Sequence, residues 1–202
     1  MTGAGPRMSP ASALGAVRAV RGDGDVVVST MAAARDWMAM ASHPLDLVFV
    51  PSSMGHATSI GLGLALAQPR RRVIVLNGDG SMLMNLGSLV TITAAAPANL
   101  TVIVLDNGTY EVTGAQPTPG APEGRVAGDA VDFAAIARGC GFRSVFRFSE
   151  GDAWRRQVRR VLTGGGPTCV VLDVDPVPEG PGPRSPGPAG ERARRFMAAL
   201  RG

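Results

Sequence analysis

The sequence predicts a doubly wound α/β domain: a six-stranded parallel sheet with helices on both faces. Three observations carry this. Short runs rich in β-branched residues alternate with Ala-rich stretches of helical length, and strands that alternate with helices imply βαβ units. Only 4% of the residues are aromatic while 45% are hydrophobic, so the core is built from Ala, Val, Leu and Met, which suits parallel strands under helices. The chain has 202 residues, enough for one well-cored domain and too few for two full ones.

The elements follow in order. A helix over 9–20 leads into a strand over 25–29, where Val26, Val27 and Val28 form the β-branched run. A helix over 31–41 precedes a strand over 47–50, and a helix over 56–67 precedes the apolar strand 72–77. Helix 82–94, strand 100–105, helix 130–138, strand 143–148, helix 151–162 and strand 168–173 complete the alternation. The right-handed crossover rule puts the helices on both faces. The domain is therefore expected to span 1–175. Residues 176–190 are dominated by Pro and Gly and cannot bury a core. A short basic helix over 191–200 follows. Residues 176–202 read as a linker and a solvated tail, with a helix that docks a partner chain as the alternative.

The net charge is +4 and every one of the 20 basic residues is Arg. Together with the abundance of Ala, Gly and Pro, this composition points to a GC-rich genome rather than to a selected basic surface. The Arg residues are scattered or sit in short helical runs such as Arg155, Arg156, Arg159 and Arg160. No aromatic platform interleaves them, as single-strand binders require, so no nucleic-acid partner is expected. Cys140 and Cys169 lie far apart and form no CxxC or metal spacing, which fits a reduced, cytoplasmic compartment. Residues 1–10 lack an apolar signal region and no run reaches 18 apolar residues, so no membrane association is expected.

In a sheet of this kind ligands bind outside the carboxyl ends of the strands. One strand ends in Asn77-Gly78-Asp79-Gly80-Ser81. Two glycines let a backbone approach a ligand, and the following helix offers N–H groups to an anion; an ordinary turn with Asp79 or Ser81 as helix cap has the same composition. It is no dinucleotide fingerprint, because Leu83 stands at the third glycine position, and no P-loop, because the chain has no Lys. The next strand ends in Asp106-Asn107-Gly108-Thr109. One βαβ repeat separates the two loops, so they lie side by side. The Asp79 carboxylate, the Asn107 amide oxygen and the Thr109 carbonyl make three hard oxygen donors. Mg²⁺ takes such donors and completes its octahedron with phosphate oxygens and water.

A Gly-Asp-Gly at one strand end, followed 25 to 30 residues later by an Asn after an apolar strand, resembles the thiamin diphosphate enzymes, specifically their diphosphate-binding domain. The resemblance covers nearly the whole globular length. It implies that Asp79, Asn107 and Thr109 bind Mg²⁺, that Gly78, Gly80 and Ser81 meet the diphosphate, and that Tyr110 lies among the cofactor contacts. The family often has Asn-Asn where this chain has Asp106-Asn107; the second position is the ligand. The loop Ser52-Ser53-Met54-Gly55 would hold the middle of the cofactor. Met54 would wedge its two rings together, and the Ser52 carbonyl would accept from the 4′-amino group. A core methionine is the plainer reading of Met54 taken alone.

Residues 53–57 and 107–118, with Met54-Gly55-His56 and Gly114-Ala115-Gln116-Pro117-Thr118, resemble phosphonopyruvate and sulfopyruvate decarboxylases. These remove CO₂ from a three-carbon 2-oxoacid that carries a second anion. Residues 29–36 depart from that family, which tends to have a glycine and a Ser/Thr-Arg-Glu pattern, although Arg35-Asp36 keeps the charge order. His56 and Glu111 are the catalytic candidates at the mouth. His56 would hold the substrate's anion or shuttle a proton, or else cap a helix. Glu111 would be a general acid, or else a loop carboxylate. Gln116 and Thr118 would close over the substrate as a polar lid.

The glutamate that activates the cofactor sits, in this family, on a separate pyrimidine-binding domain, and this chain has no room for one. The resemblance therefore implies an α-type partner subunit that supplies it, with this chain as the β-type subunit. A carboligase or oxidoreductase subunit and a non-catalytic cofactor-binding module remain the alternatives.

Overall fold

The computed structural model describes residues 7–49, 54–121, 130–177 and 184–202. Six parallel strands form one sheet: β1 (Val26–Thr30), β2 (Asp46–Phe49), β3 (Val73–Gly78), β4 (Leu100–Asp106), β7 (Ser144–Phe148) and β8 (Thr168–Asp173), in the order β2-β1-β3-β4-β8-β7. Strands β5 (Thr109–Tyr110) and β6 (Gln116–Pro117) form a separate small antiparallel hairpin, which the sequence reading did not foresee.

Alternate side chains of each strand feed two cores. Val27, Ile74, Leu76, Ile103, Val170 and Leu172 point to one face. There they meet α1 (Pro10–Val20), α2 (Met31–Met40) and α7 (Gly151–Thr163), with Trp37 and Trp154 fully buried. Val28, Val75, Val102, Val104 and Val171 point to the other face. Its cover is α3 (Ala57–Ala67), α4 (Asp79–Leu83), α5 (Gly87–Ala95), α6 (Phe133–Gly139) and α8 (Ala189–Arg201). Gly61 lets α3 lie directly on β3, since a Cβ there would stand 2.2 Å from Val75 Cγ2.

Caps explain several boundaries. The Ser9 hydroxyl accepts from the Ser12 N–H ahead of Pro10 at the first turn of α1. Asp132 accepts from the N–H groups of Ala134 and Ala135, so α6 starts at Phe133, later than 130. The expected helix over 82–94 is two helices. α4 begins at once after β3, and a turn at residues 84–86 intervenes. Ser88 then restarts the chain as α5, bonding the Asn85 carbonyl through both its N–H and its hydroxyl.

The end of the chain is not a solvated tail. Phe196 of α8 is buried in the second core, Ala199 and Leu200 pack against it, and Arg192 donates to the Val48 carbonyl of β2 at 2.7 Å. The side chains, not the average polarity of the segment, decided this. Among the described residues no helix is long and apolar enough to cross a membrane.

Candidate functional site

The connection from β1 to β2 and the connection from β2 to β3 run in opposite directions across the sheet. Such a switch opens a crevice at the carboxyl ends of β1 and β3. One cleft lies there. It is lined by Met31 and Ala32 after β1, Met54 after β2, residues 78–81 after β3, and Asn107 with residues 109–113 after β4. Sequence positions from four strand ends therefore meet, including Gly78, Asp79, Gly80, Ser81, Asn107, Thr109, Tyr110, Glu111 and Met54.

Asp79 opens α4 and is 2% exposed. Its Oδ2 accepts from the Gly108 N–H at 3.1 Å and from the Thr118 hydroxyl at 3.2 Å. Burial pushes its carboxyl up to about 7, and the neighbouring Asp106 carboxylate adds to the rise. Asp106 is itself raised, again by burial first, while Arg147 pulls it down. Arg147 bridges Asp173 at 2.7 Å and Asp106 at 3.4 Å. A desolvated carboxylate of this kind is stabilised by a cation placed against it.

Asn107 is held at both ends. Its Oδ1 accepts from the Thr109 N–H at 2.8 Å, and its Nδ2 donates to Glu111 Oε1 at 2.7 Å. The Thr118 N–H bonds the Gly108 carbonyl, so the facing residues Thr109 and Pro117 form the non-hydrogen-bonded type of antiparallel pair. In that arrangement the N–H and carbonyl of Thr109 both point away from Pro117, to the side where Asn107 Oδ1 lies. One carboxylate, one amide oxygen and one carbonyl are the donor set expected for Mg²⁺ with phosphate and water as further ligands. Among the described residues no group of three or more His, Cys, Asp or Glu could hold a metal, so a bound ion would depend on that mixed set.

The two glycines differ in purpose. A Cβ on Gly78 would meet nothing within 4 Å, so the cleft is open beside it. A Cβ on Gly80 would stand 2.5 Å from Tyr110 Cε1. Gly80 is thus required by the Tyr110 ring, a reason the sequence did not reveal. The Ser81 hydroxyl accepts from the Gly55 N–H at 2.9 Å, and its own proton is still available to an anion. This bond ties the Met54 loop to α4, and Asn85, which also donates to the Gly55 carbonyl at 2.7 Å, strengthens it. No sequence signal singled out Asn85.

The remaining candidates fall differently. Ser52 and Ser53 lie outside the described residues. His56 is exposed and makes no capping bond to α3; its Nδ1 bonds the Met54 carbonyl at 3.0 Å. A carbonyl can only accept, so Nδ1 carries the proton and Nε2 stays available. Glu111 is 4% exposed and is not a free group at a mouth. Thr118 is fully buried against Asp79, so it is no lid; Gln116 is exposed and bonds the Thr113 carbonyl.

Comparison with known proteins bears on the family and the fold. Residues 25–172 match the family model for the thiamine pyrophosphate enzyme C-terminal TPP binding domain. The chain is 42% identical over 151 residues to a phosphonopyruvate decarboxylase of Streptomyces viridochromogenes, covering 74% of this chain and 36% of that protein. It is 44% identical over 128 residues to the sulfopyruvate decarboxylase subunit beta of Methanothermobacter thermautotrophicus, covering 63% of this chain and 62% of that subunit. It thus spans about a third of the first relative and just under two thirds of the second. In fold it is similar to the Rhodococcus jostii RHA1 thiamine diphosphate-dependent 4-hydroxybenzoylformate decarboxylase. That match has a TM-score of 0.71 over 89% of this chain and 34% of the other, at 20% identity.

Proposed function

The chain belongs to the thiamine pyrophosphate enzymes, as their C-terminal cofactor-binding domain, and on that premise we propose that it is the Mg²⁺-diphosphate-binding subunit of a split 2-oxoacid decarboxylase. The substrate would be phosphonopyruvate or sulfopyruvate, and the products the aldehyde and CO₂. The observation that carries the reading is the meeting of Asp79, Asn107 and Thr109 beside the open flank of Gly78 in one cleft.

When bound, thiamin diphosphate supplies a nucleophilic carbon and an electron sink for the bond to the departing carboxylate. The chain's own groups bind and orient. The Asp79 carboxylate, Asn107 Oδ1 and the Thr109 carbonyl would hold Mg²⁺. The Gly80 N–H and the Ser81 hydroxyl would bond the diphosphate, with Tyr110 packed behind Gly80. Met54 would press the cofactor rings together from the β2 side, and the Ser52 carbonyl would hold the 4′-amino group. His56, with Nε2 available, would meet the second anion of the substrate or pass it a proton.

The outward face of α3 and α5 supports a partner subunit. α3 and α5 pack against each other and contain no charged residue. Leu66 on α3, Val90 on α5 and Met84 in the turn before it are all more than half exposed. An uncharged outward face with large apolar residues in water belongs inside an assembly. A relative of similar extent is named a beta subunit, and the expected partner is an α-type subunit that carries the pyrimidine domain and its activating glutamate.

Calorimetry of thiamin diphosphate with Mg²⁺ tests the reading, with the chain alone and mixed with that partner, while CO₂ release from both acids is followed. Weak binding alone, tight binding and CO₂ release in the mixture, and loss of both in Asp79→Ala are the expected results. Binding under neither condition would replace the enzyme with a non-catalytic module.

A further inference from the structure

Glu111 sits on the loop that follows Asn107, in a single 3₁₀ turn, Glu111–Thr113. A carboxylate on such a loop normally faces water, yet this one is buried and both its oxygens are engaged. Oε1 accepts from Asn107 Nδ2 at 2.7 Å and from the Val177 N–H at 2.9 Å. Oε2 accepts from Arg35 at 3.2 Å. Arg35 is aligned in turn by Asp36, through contacts of 2.7 and 3.2 Å. The Arg35-Asp36 pair of α2 thus reaches the site through Glu111. A carboxylate that accepts from three donors, one a guanidinium, is poorly arranged to act as a general acid.

Its chemistry suits another task. The two ends of an asparagine amide have nearly the same shape and opposite polarity. Only the oxygen end can ligate a cation. An ionised carboxylate only accepts, so Glu111 can face only the NH₂ end of Asn107. The Thr109 N–H only donates, so it can face only the oxygen end. Both neighbours demand the same orientation.

Resting on the cofactor reading above, we propose that Glu111, held by Arg35, is a positioning residue that orients the Asn107 amide so that Oδ1 faces the Mg²⁺ site. Glu111 touches neither cofactor nor substrate in this role. Replacing it with Gln keeps the volume but offers an amide that can present either end, so only the Thr109 N–H still enforces the orientation.

The test titrates Mn²⁺ in the presence of thiamin diphosphate, reading free Mn²⁺ by electron paramagnetic resonance, for the full chain alone and with its pyrimidine-domain partner. Glu111→Gln is expected to weaken Mn²⁺ binding about tenfold, the effect of one charge-assisted hydrogen bond. Asn107→Ala is expected to weaken it at least as much, and Glu111→Gln added to Asn107→Ala to weaken it no further, because Glu111 acts through Asn107. The wild-type chain gives a second readout that needs no change at Glu111. In its ¹⁵N spectrum one side-chain NH₂ proton of Asn107, assigned by its loss in Asn107→Ala, is expected well downfield of an exposed asparagine. Wild-type uptake of Mn²⁺ under neither condition would overturn the cofactor reading and this proposal with it. Wild-type uptake beside an equally tight Glu111→Gln, an additive double variant, or an Asn107 NH₂ at the exposed position would overturn this proposal alone.

Discussion

α7 on one face of the sheet and the α3–α5 pair on the other are finished in opposite ways. α7 follows the pattern of a surface helix: Trp154, Val158, Val161 and Leu162 face the core, while Arg155, Arg156, Arg159 and Arg160 face water. α3 and α5 have apolar residues toward the sheet and apolar or small residues outward, with no charge on either. The α7 side is complete as a monomer. The α3–α5 side leaves Leu66, Met84 and Val90 in water. The two faces thus differ in their outer finish, whereas both carry a buried core and the cleft draws on both, through Met31 and Ala32 of α2 and residues 79–81 of α4.

The largest expected effect lies in the cleft. Asp79→Ala removes the one carboxylate of the proposed cation site and is expected to lower Mg²⁺-dependent cofactor affinity by roughly 100-fold or more. The change in melting temperature without cofactor should be small beside that. Calorimetry and thermal unfolding on the same variant check both halves, and an equal loss of fold and affinity would break the separation between cleft and core.

Trp154→Ala is the converse. Trp154 is fully buried and donates to the Ala13 carbonyl at 2.9 Å. Its loss should cost about 3–5 kcal/mol, read by denaturant unfolding, while cofactor affinity of the folded fraction stays within about twofold. A large change in affinity would show that the two layers are coupled through the sheet.

The acid–base behaviour of Asp79 sharpens the contrast. Its folded carboxyl is raised to about 7 by burial, above the value of an unfolded chain. Between those values the folded state holds a proton that the unfolded state has lost, so stability falls as pH rises through that window. Without metal the chain should therefore lose a few kcal/mol between about pH 4 and 7 from this group. Asp79→Asn should flatten the slope. Mg²⁺ with thiamin diphosphate should also reverse it, since the cation favours the ionised form. Urea unfolding at several pH values measures all three.

The smallest effect expected on the isolated chain comes from the exposed faces. Val90→Glu should leave melting within about 0.5 kcal/mol of wild type yet weaken assembly with the partner by roughly 2 kcal/mol, about thirtyfold. Arg156→Glu on α7 should change neither. Sedimentation of the mixture distinguishes them, and equal effects would mean that the uncharged α3–α5 face is not the interface.

Much of this was legible locally. Residues 72–77 and 100–105 read as strands because apolar β-branched runs of that length have few other uses. Asp79 and Asn107 could be paired because adjacent strands in a parallel sheet bring their end loops together. What was not legible depended on groups far apart in sequence. Thr118 reads as a lid residue until the hairpin of β5 and β6 turns it onto Asp79. Glu111 reads as a loop carboxylate until Arg35 and Val177, 76 and 66 residues away, arrive at its two oxygens. Residues 189–201 read as a solvated tail because one Phe among Arg residues carries little signal; only the groove beside β2 makes Phe196 a core residue.

The sequence by itself thus determined the fold class and the chemical identity of the strand-end loops, because hydrophobic period and glycine-flanked polar residues are local properties. The tertiary structure alone decided which neighbours meet each end of the Asn107 amide, why Gly80 must lack a side chain, and which helix face is left without charge. Hydrogen-bond polarity, steric exclusion and burial exist only between surfaces that the fold has already brought together.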